Sequence, residues 1–124
     1  MKNKNFLQRL AVAAGGLKAA FWEEKNFRIQ SLVALLVIAA MIAMHLSAIE
    51  RSILVLAILV VLSLELLNSQ IEKFLDIIEP NLHPRVKIIK DFSAGAVLLA
   101  ASASVIIGCL IFLPHILPLL NINK

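Results

Sequence analysis

The segment from Phe92 to Leu113 contains no charged residue. A helix needs about 20 consecutive apolar residues to cross the hydrocarbon core of a bilayer, and this segment is long enough. Lipid offers no partner for backbone amides, so such a segment folds as a helix that satisfies its own hydrogen bonds. Two more uncharged runs, Ser31 to Ala48 and Ser52 to Leu64, raise the number of expected spans to three. The second of these is long enough only if it continues through Leu67, and it then includes Glu65.

The composition supports a membrane protein. The chain has 124 residues, of which 60% are hydrophobic and 16% charged, and its mean hydropathy is +0.92. Soluble domains carry about 25% charged residues, so this chain lies outside their range. We predict an all-α integral membrane protein with one domain over residues 1–124 and spans at about 29–49, 52–70 and 92–114.

Residues from about 5 to 24 precede the first span and have a different pattern. Apolar side chains recur there at helical spacing, and Gln8 and Lys18 oppose them. This pattern predicts an N-terminal amphipathic helix that lies on the membrane surface.

Prolines mark the expected ends of the long helices. Pro80 and Pro84 predict a short turn over Glu79 to Arg85, after which the last span restarts at Phe92. Two further prolines, Pro114 and Pro118, are expected to end the last helix.

Basic residues are distributed unevenly about the spans. They precede the first span and lie between the second and the third, whereas the loop between the first two contains only Arg51. The positive-inside rule therefore predicts a cytoplasmic N-terminus and a cytoplasmic 70–90 connection. The net charge of +4 is explained by this bias and by attraction to anionic lipid, and nucleic-acid binding is not expected.

A stripe of polar side chains follows the second span where that span leaves the apolar layer. Four residues fall within about 80° of one another at the helical period of about 100° per residue: Glu65, Asn68, Glu72 and Asp76. Lys73 points about 80° away from Glu65, so the stripe is expected to attract a metal ion or basic partners. Ionisable groups at membrane depth usually mark function. The alternative is structural, with Glu65 simply protonated or hydrogen-bonded to a neighbouring helix.

A second acidic pair, Glu23 and Glu24, lies between the surface helix and the first span. If the surface helix folds back toward the cytoplasmic end of the second span, a carboxylate from each could bridge a divalent cation. Magnesium bound to substrate phosphates needs only one or two such ligands. Basic side chains at the same predicted depth could neutralise phosphate oxygens: Arg9, Arg28 and Lys90. This combination indicates phosphoryl transfer at a membrane surface.

The polar stripe also carries a family resemblance. The run from Glu65 to Ser69, with Glu72, Asp76 and the later Lys90-Asp91 pair, resembles the small prokaryotic integral-membrane diacylglycerol kinases, a family that includes undecaprenol kinases. The resemblance covers about Phe6 to Pro114. It extends through Arg9, Lys18-Ala19-Ala20, Glu24, Asn26-Phe27-Arg28, His83 and the Ser93 to Val97 segment.

This resemblance implies a helix-bundle homotrimer in the bacterial inner membrane, with active sites shared between subunits near the cytoplasmic interface. It implies transfer of the γ-phosphate of ATP to a lipid hydroxyl. Glu65 then resembles the general base, which also contacts the lipid substrate, and Asn68 would orient nearby groups.

The resemblance also assigns a nucleotide pocket. Glu24 and Glu72 would hold the Mg²⁺ that bridges the ATP phosphates, and Lys90 would meet phosphate charge. The pocket would be completed by Arg9, Asp76 and Asp91. Two positions depart from the family pattern, because Gln70 replaces a small residue and Glu23 adds a second acid beside Glu24.

The lipid acceptor stays open between two candidates. Diacylglycerol, which would give phosphatidic acid, is the broader expectation, and undecaprenol, which would give undecaprenyl phosphate, is the alternative. Another class, a small proton- or cation-coupled transporter, would depend on Glu65 and would not require Glu24, Glu72 or Lys90.

Overall fold

A computed structural model describes residues 3–121, and within this range the chain forms four helices and no strand. They are α1 (Phe6–Glu23), α2 (Lys25–Ala43), α3 (Ala48–Ile78) and α4 (Pro84–Asn121). By length and composition, α2, α3 and α4 can each cross a membrane. The prediction of an all-α protein with three apolar spans is therefore confirmed, and α1 covers the segment where the sequence predicts the surface helix.

Local side chains fix where α1 and α3 begin. The Asn5 side chain accepts a hydrogen bond from the Gln8 backbone N–H (3.0 Å), and the Gln8 side chain accepts one from the Asn5 N–H (3.1 Å). Ser47 and Glu50 form the same reciprocal pair at the start of α3. Each capping box satisfies two backbone donors that a helix start otherwise leaves unpaired.

The prolines act differently from the prediction. Pro84 is the first residue of α4, where its missing N–H costs no hydrogen bond, so the helix break covers only residues 79–83 and is shorter than the predicted turn over Glu79 to Arg85. The start of the span at Phe92, inside α4, stays a prediction. Pro114 and Pro118 lie inside α4, which continues to Asn121, so the prediction that they end the helix is wrong. Helices that cross membranes tolerate proline because neighbouring groups satisfy the freed carbonyls.

The four helices pack in chain order. α3 packs most closely against α4, and α2 contacts both α1 and α3. A small apolar core of Met41, Leu46, Leu54 and Ile111 lies at the end of the bundle that holds the α2–α3 connection. Most other large apolar side chains of the spans are exposed, as expected for surfaces that face lipid or another protein copy.

Candidate active site

Three polar side chains of α3 are buried away from the apolar core. Glu65 is 4% exposed, Asn68 8% and Ser69 5%, and among the described residues 3–121 they are the only buried polar or charged side chains. The Oδ1 atom of Asn68 has no hydrogen-bond partner in this range. Burying polar groups without partners is costly, so this cluster is a candidate ligand site.

Glu65 and Asn68 face a cavity of about 330 Å³ between α2, α3 and α4. Helix α2 contributes Asn26 and Gln30 to its wall, and α4 contributes mainly small or apolar side chains, among them Ala94 and Ala101. The cavity therefore has a polar wall on two helices and an apolar wall on the third. A lipid headgroup needs a surface of this mixed kind, because its polar end adjoins a hydrocarbon chain.

The carboxylate of Glu65 has two acidic neighbours. Glu72 lies about two turns further along α3, and Glu24 lies at the junction between α1 and α2. Glu24 also pairs with Lys73 of α3, so the junction between α1 and α2 folds back toward the end of α3 that precedes the 79–83 connection.

The backbone around Glu24 forms a fixed elbow. Glu24 is extended (φ −104°, ψ 108°), its N–H donates to the Ala20 carbonyl (2.8 Å), and its carbonyl accepts from the Arg28 N–H (3.0 Å). The Arg28 guanidinium donates to the carbonyls of Phe21 (3.2 Å) and Trp22 (3.1 Å). Arg28 thereby satisfies carbonyls at the end of α1. The structure gives Arg28 this capping role, which the sequence did not predict.

Lys73 is a basic partner of the acidic pair Glu23 and Glu24, which the sequence did not predict. Its Nζ lies 2.5 Å from Glu24 Oε1 and 3.6 Å from a carboxylate oxygen of Glu23. Glu24 Oε1 is buried, and the contact is an ion pair without the alignment of a hydrogen bond. Lys73 points away from Glu65 on α3, but its side chain is long enough to reach Glu24 at the junction between α1 and α2.

Two further ion pairs lie at the same end of the bundle. Lys90 of α4 pairs with Asp76 of α3, and Lys87 pairs with Asp91 one turn along α4 (2.7 Å). The predicted nucleotide residues Lys90 and Asp76 are thus brought together.

The remaining predicted site residues are less closely joined to the cluster. Glu72 is exposed on α3. Arg9 is exposed on α1, and within residues 3–121 no side-chain hydrogen bond or ion pair connects it to the other site residues. Exposed His83 accepts a hydrogen bond through Nδ1 from the Arg85 N–H (3.2 Å), a local contact at the start of α4.

The donor groups fit a nucleotide-bound magnesium ion better than a metal held by protein alone. Residues 3–121 contain no group of three or more His, Cys, Asp or Glu side chains placed to hold a metal ion. Mg²⁺ that arrives with nucleotide phosphates takes only one or two carboxylates from the protein. Glu24, whose buried oxygen is paired with the Lys73 ammonium, and the exposed Glu72 are carboxylates of the required kind.

The structure adds two cavity residues, Asn26 and Gln30, to the predicted site. They are one helical turn apart on α2 and therefore share a face. Their amide side chains near the start of an apolar helix are a signal that sequence inspection could have used.

Comparison with known proteins agrees with this geometry. The family model described as prokaryotic diacylglycerol kinase matches residues 11–112. A diacylglycerol kinase from Synechocystis sp. is 41% identical over 117 residues, which cover 94% of this chain and 67% of that protein. The undecaprenol kinase of Bacillus subtilis is 40% identical over 90% of both chains. The diacylglycerol kinase of Escherichia coli K12 is 32% identical over 91% of this chain and 96% of its own. The chain therefore belongs to the prokaryotic diacylglycerol kinase family and is a multi-pass membrane lipid kinase.

Proposed function

We propose that this kinase transfers the γ-phosphate of MgATP to the hydroxyl of diacylglycerol and so forms phosphatidic acid. The observation that carries the proposal is the buried Glu65 carboxylate, which faces a cavity with a polar and an apolar wall. Relatives named diacylglycerol kinase, at 41% and 32% identity, support this acceptor.

Glu65 is the proposed general base. A lipid hydroxyl attacks the γ-phosphorus of ATP and its proton passes to the Glu65 carboxylate, while the bond to the leaving ADP oxygen breaks. Burial among three helices shields this carboxylate from water. Asn68, next to it on α3, is proposed to orient the hydroxyl or a phosphate oxygen through its unpartnered Oδ1 and its amide N–H groups.

Glu24 and Glu72 are the proposed protein ligands of the magnesium ion. The ion would supply positive charge to the transferring phosphate when nucleotide is bound. Lys90 is proposed to contact phosphate, with Arg9, Asp76 and Asp91 around the nucleotide. Because Lys90 is paired with Asp76 without nucleotide, binding would require Lys90 to exchange a carboxylate for a phosphate.

Undecaprenol is the second candidate acceptor. The specific observation is that the Bacillus subtilis undecaprenol kinase is 40% identical over 90% of both chains. Both lipids present a primary hydroxyl attached to a long hydrocarbon, so the same base could serve either one. Membership of the kinase family disfavours the transporter that the sequence alone left open.

We further propose a homotrimer in the bacterial inner membrane with a cytoplasmic N-terminus. The chain has no separate nucleotide-binding domain within residues 3–121, and several proposed nucleotide residues are exposed, which suits a pocket completed by a neighbouring subunit. The excess of basic residues before α2 and between α3 and α4 supports the orientation.

The test is phosphate transfer from labelled MgATP in mixed micelles, with diacylglycerol and undecaprenol offered separately. Glu65→Gln is the test variant and Glu79→Gln, which removes a carboxylate at the far end of α3, is its control. We expect one lipid to be preferred, transfer to be lost in Glu65→Gln and retained in Glu79→Gln. An active Glu65→Gln protein would exclude Glu65 as the base, and a folded protein that phosphorylates neither lipid would contradict both proposed acceptors.

A further inference from the structure

Lys73 forms an ion pair with the carboxylate of Glu24, which is one of the two proposed magnesium ligands. Its ammonium lies 2.5 Å from Glu24 Oε1, and this oxygen is buried. The Glu24 side chain is 20% exposed, whereas those of Lys73 and Glu23 are 49% and 67% exposed. Lys73 therefore reaches inward from an exposed position to a carboxylate that is mostly shielded.

A carboxylate oxygen in contact with an ammonium cannot contact a divalent cation at the same point. The two cations exclude each other by size and by charge repulsion, which is strong at such short range outside bulk water. The elbow at Glu24 is held by backbone hydrogen bonds on both sides, to Ala20 and from Arg28, so the Glu24 backbone keeps its place beside α3. The long and flexible lysine is the partner that can move.

Glu23 gives Lys73 a second position. Its carboxylate is already 3.6 Å from the ammonium and is largely exposed. A small movement outward would transfer the ammonium from Glu24 to Glu23, so release from Glu24 would not leave an unpaired charge. Glu23 and Glu24 thus differ in burial and in their distance from Lys73, a difference that their adjacent positions in the sequence do not reveal.

We propose that Lys73 is the internal counter-ion of Glu24 in the nucleotide-free enzyme and competes with a divalent cation for that carboxylate. This inference rests on the proposed role of Glu24 as a magnesium ligand. Lys73 is accordingly a positioning residue that sets the divalent-cation affinity of the site.

The test measures binding of the Mn²⁺ complex of a non-hydrolysable ATP analogue to the purified protein in detergent micelles, with the unbound complex followed by electron paramagnetic resonance. Lys73→Met removes the counter-ion. Lys25→Met is the matched control, because Lys25 is exposed beside Glu24 in the chain, carries the same charge and makes no ion pair within residues 3–121. A partly exposed ion pair affects equilibria modestly, so we expect Lys73→Met to bind the complex about twofold to fivefold more tightly than Lys25→Met.

Two further variants make the test specific. Lys73→Arg keeps a cation and should bind the complex more weakly than Lys73→Met. In a Glu24→Gln background, Lys73→Met should lose its effect, because the carboxylate for which the cations compete is gone. Equal affinity in Lys73→Met and Lys25→Met, an undiminished effect in the Glu24→Gln background, or no binding of the complex by any variant would overturn the proposal. If Lys73→Met does not fold, Lys73→Gln takes its place in the same comparison.

This measurement is separate from the kinase assay. Failure to phosphorylate either lipid would refute the proposed acceptors and leave the Mn²⁺ comparison unaffected. Conversely, an active kinase with equal affinity for the complex in Lys73→Met and Lys25→Met would refute the role of Lys73 alone.

Discussion

Lys90 of α4 forms an ion pair with Asp76 of α3, and the pair joins the two most closely packed helices near the short 79–83 connection. The Asp76 side chain is 64% exposed and that of Lys90 33%. Exposed ion pairs contribute little to the free energy of unfolding. We therefore expect Lys90 and Asp76 to act mainly in ligand binding. Without nucleotide, the two proposed site residues neutralise each other.

This arrangement leads to a prediction for Lys90→Gln. We expect the KM for ATP to rise about tenfold, because a charged contact to phosphate is lost, while the unfolding temperature changes little. Steady-state kinetics and a circular dichroism melt measure the two quantities. The control is Arg85→Gln, which removes an exposed basic residue near the start of α4 that makes no ion pair within residues 3–121. A rise in the ATP KM for Arg85→Gln as large as that for Lys90→Gln would contradict the assignment.

Glu65→Gln is expected to lower kcat by about 10²–10⁴-fold, which is the usual contribution of a positioned general base. The KM for ATP should stay within a few fold of the wild-type value, because Glu65 faces the lipid hydroxyl in the proposed mechanism. Initial rates over a range of ATP concentrations separate these effects. If the main change were in the ATP KM, Glu65 would instead belong to the nucleotide pocket.

Arg28→Met should act through the elbow and not through direct contact with nucleotide. The variant loses the hydrogen bonds to the carbonyls of Phe21 and Trp22, so the junction that positions Glu24 loosens. We expect a lower unfolding temperature together with a rise of about tenfold in the apparent KM for MgATP, since small displacements of a positioning group are costly. Arg28→Lys, which keeps the charge but not the forked geometry, should recover only part of both losses. Unchanged thermal stability in Arg28→Met would show that the elbow does not depend on this side chain.

The opposite end of the bundle offers a contact that should matter for stability alone. His115 Nε2 on α4 lies 3.2 Å from Glu50 Oε1 at the start of α3. His115→Phe removes this link and should lower the unfolding temperature by a few degrees while kcat and the ATP KM stay near wild type. Thermal unfolding and the kinase assay test this together. A large loss of activity without loss of stability would show that this end of the bundle takes part in catalysis.

Much of the fold could be predicted because it depends on local properties. The absence of charge from Phe92 to Leu113 predicts a span, since lipid excludes unpaired charges and backbone amides. The polar stripe from Glu65 to Asp76 predicts a single face, since the helical period is fixed. The capping boxes at Asn5 and Ser47 are likewise short-range features.

The errors arose where local rules compete with packing. Proline alone favours a helix end, but α4 packs along α3 and continues through Pro114 and Pro118. Pro84 also begins a helix instead of belonging to a turn, because the first turn of a helix does not use that backbone donor.

The sequence by itself determined the three apolar spans, the N-terminal helix and the polar stripe, because each follows from the spacing of side chains along one helix. Only the tertiary structure decided which charges meet across helices. Lys73 pairs with Glu24, Lys90 with Asp76, and Arg28 with the carbonyls at the end of α1. Long basic side chains can reach several partners, and the choice among them depends on how the helices pack, which no spacing rule within one helix contains.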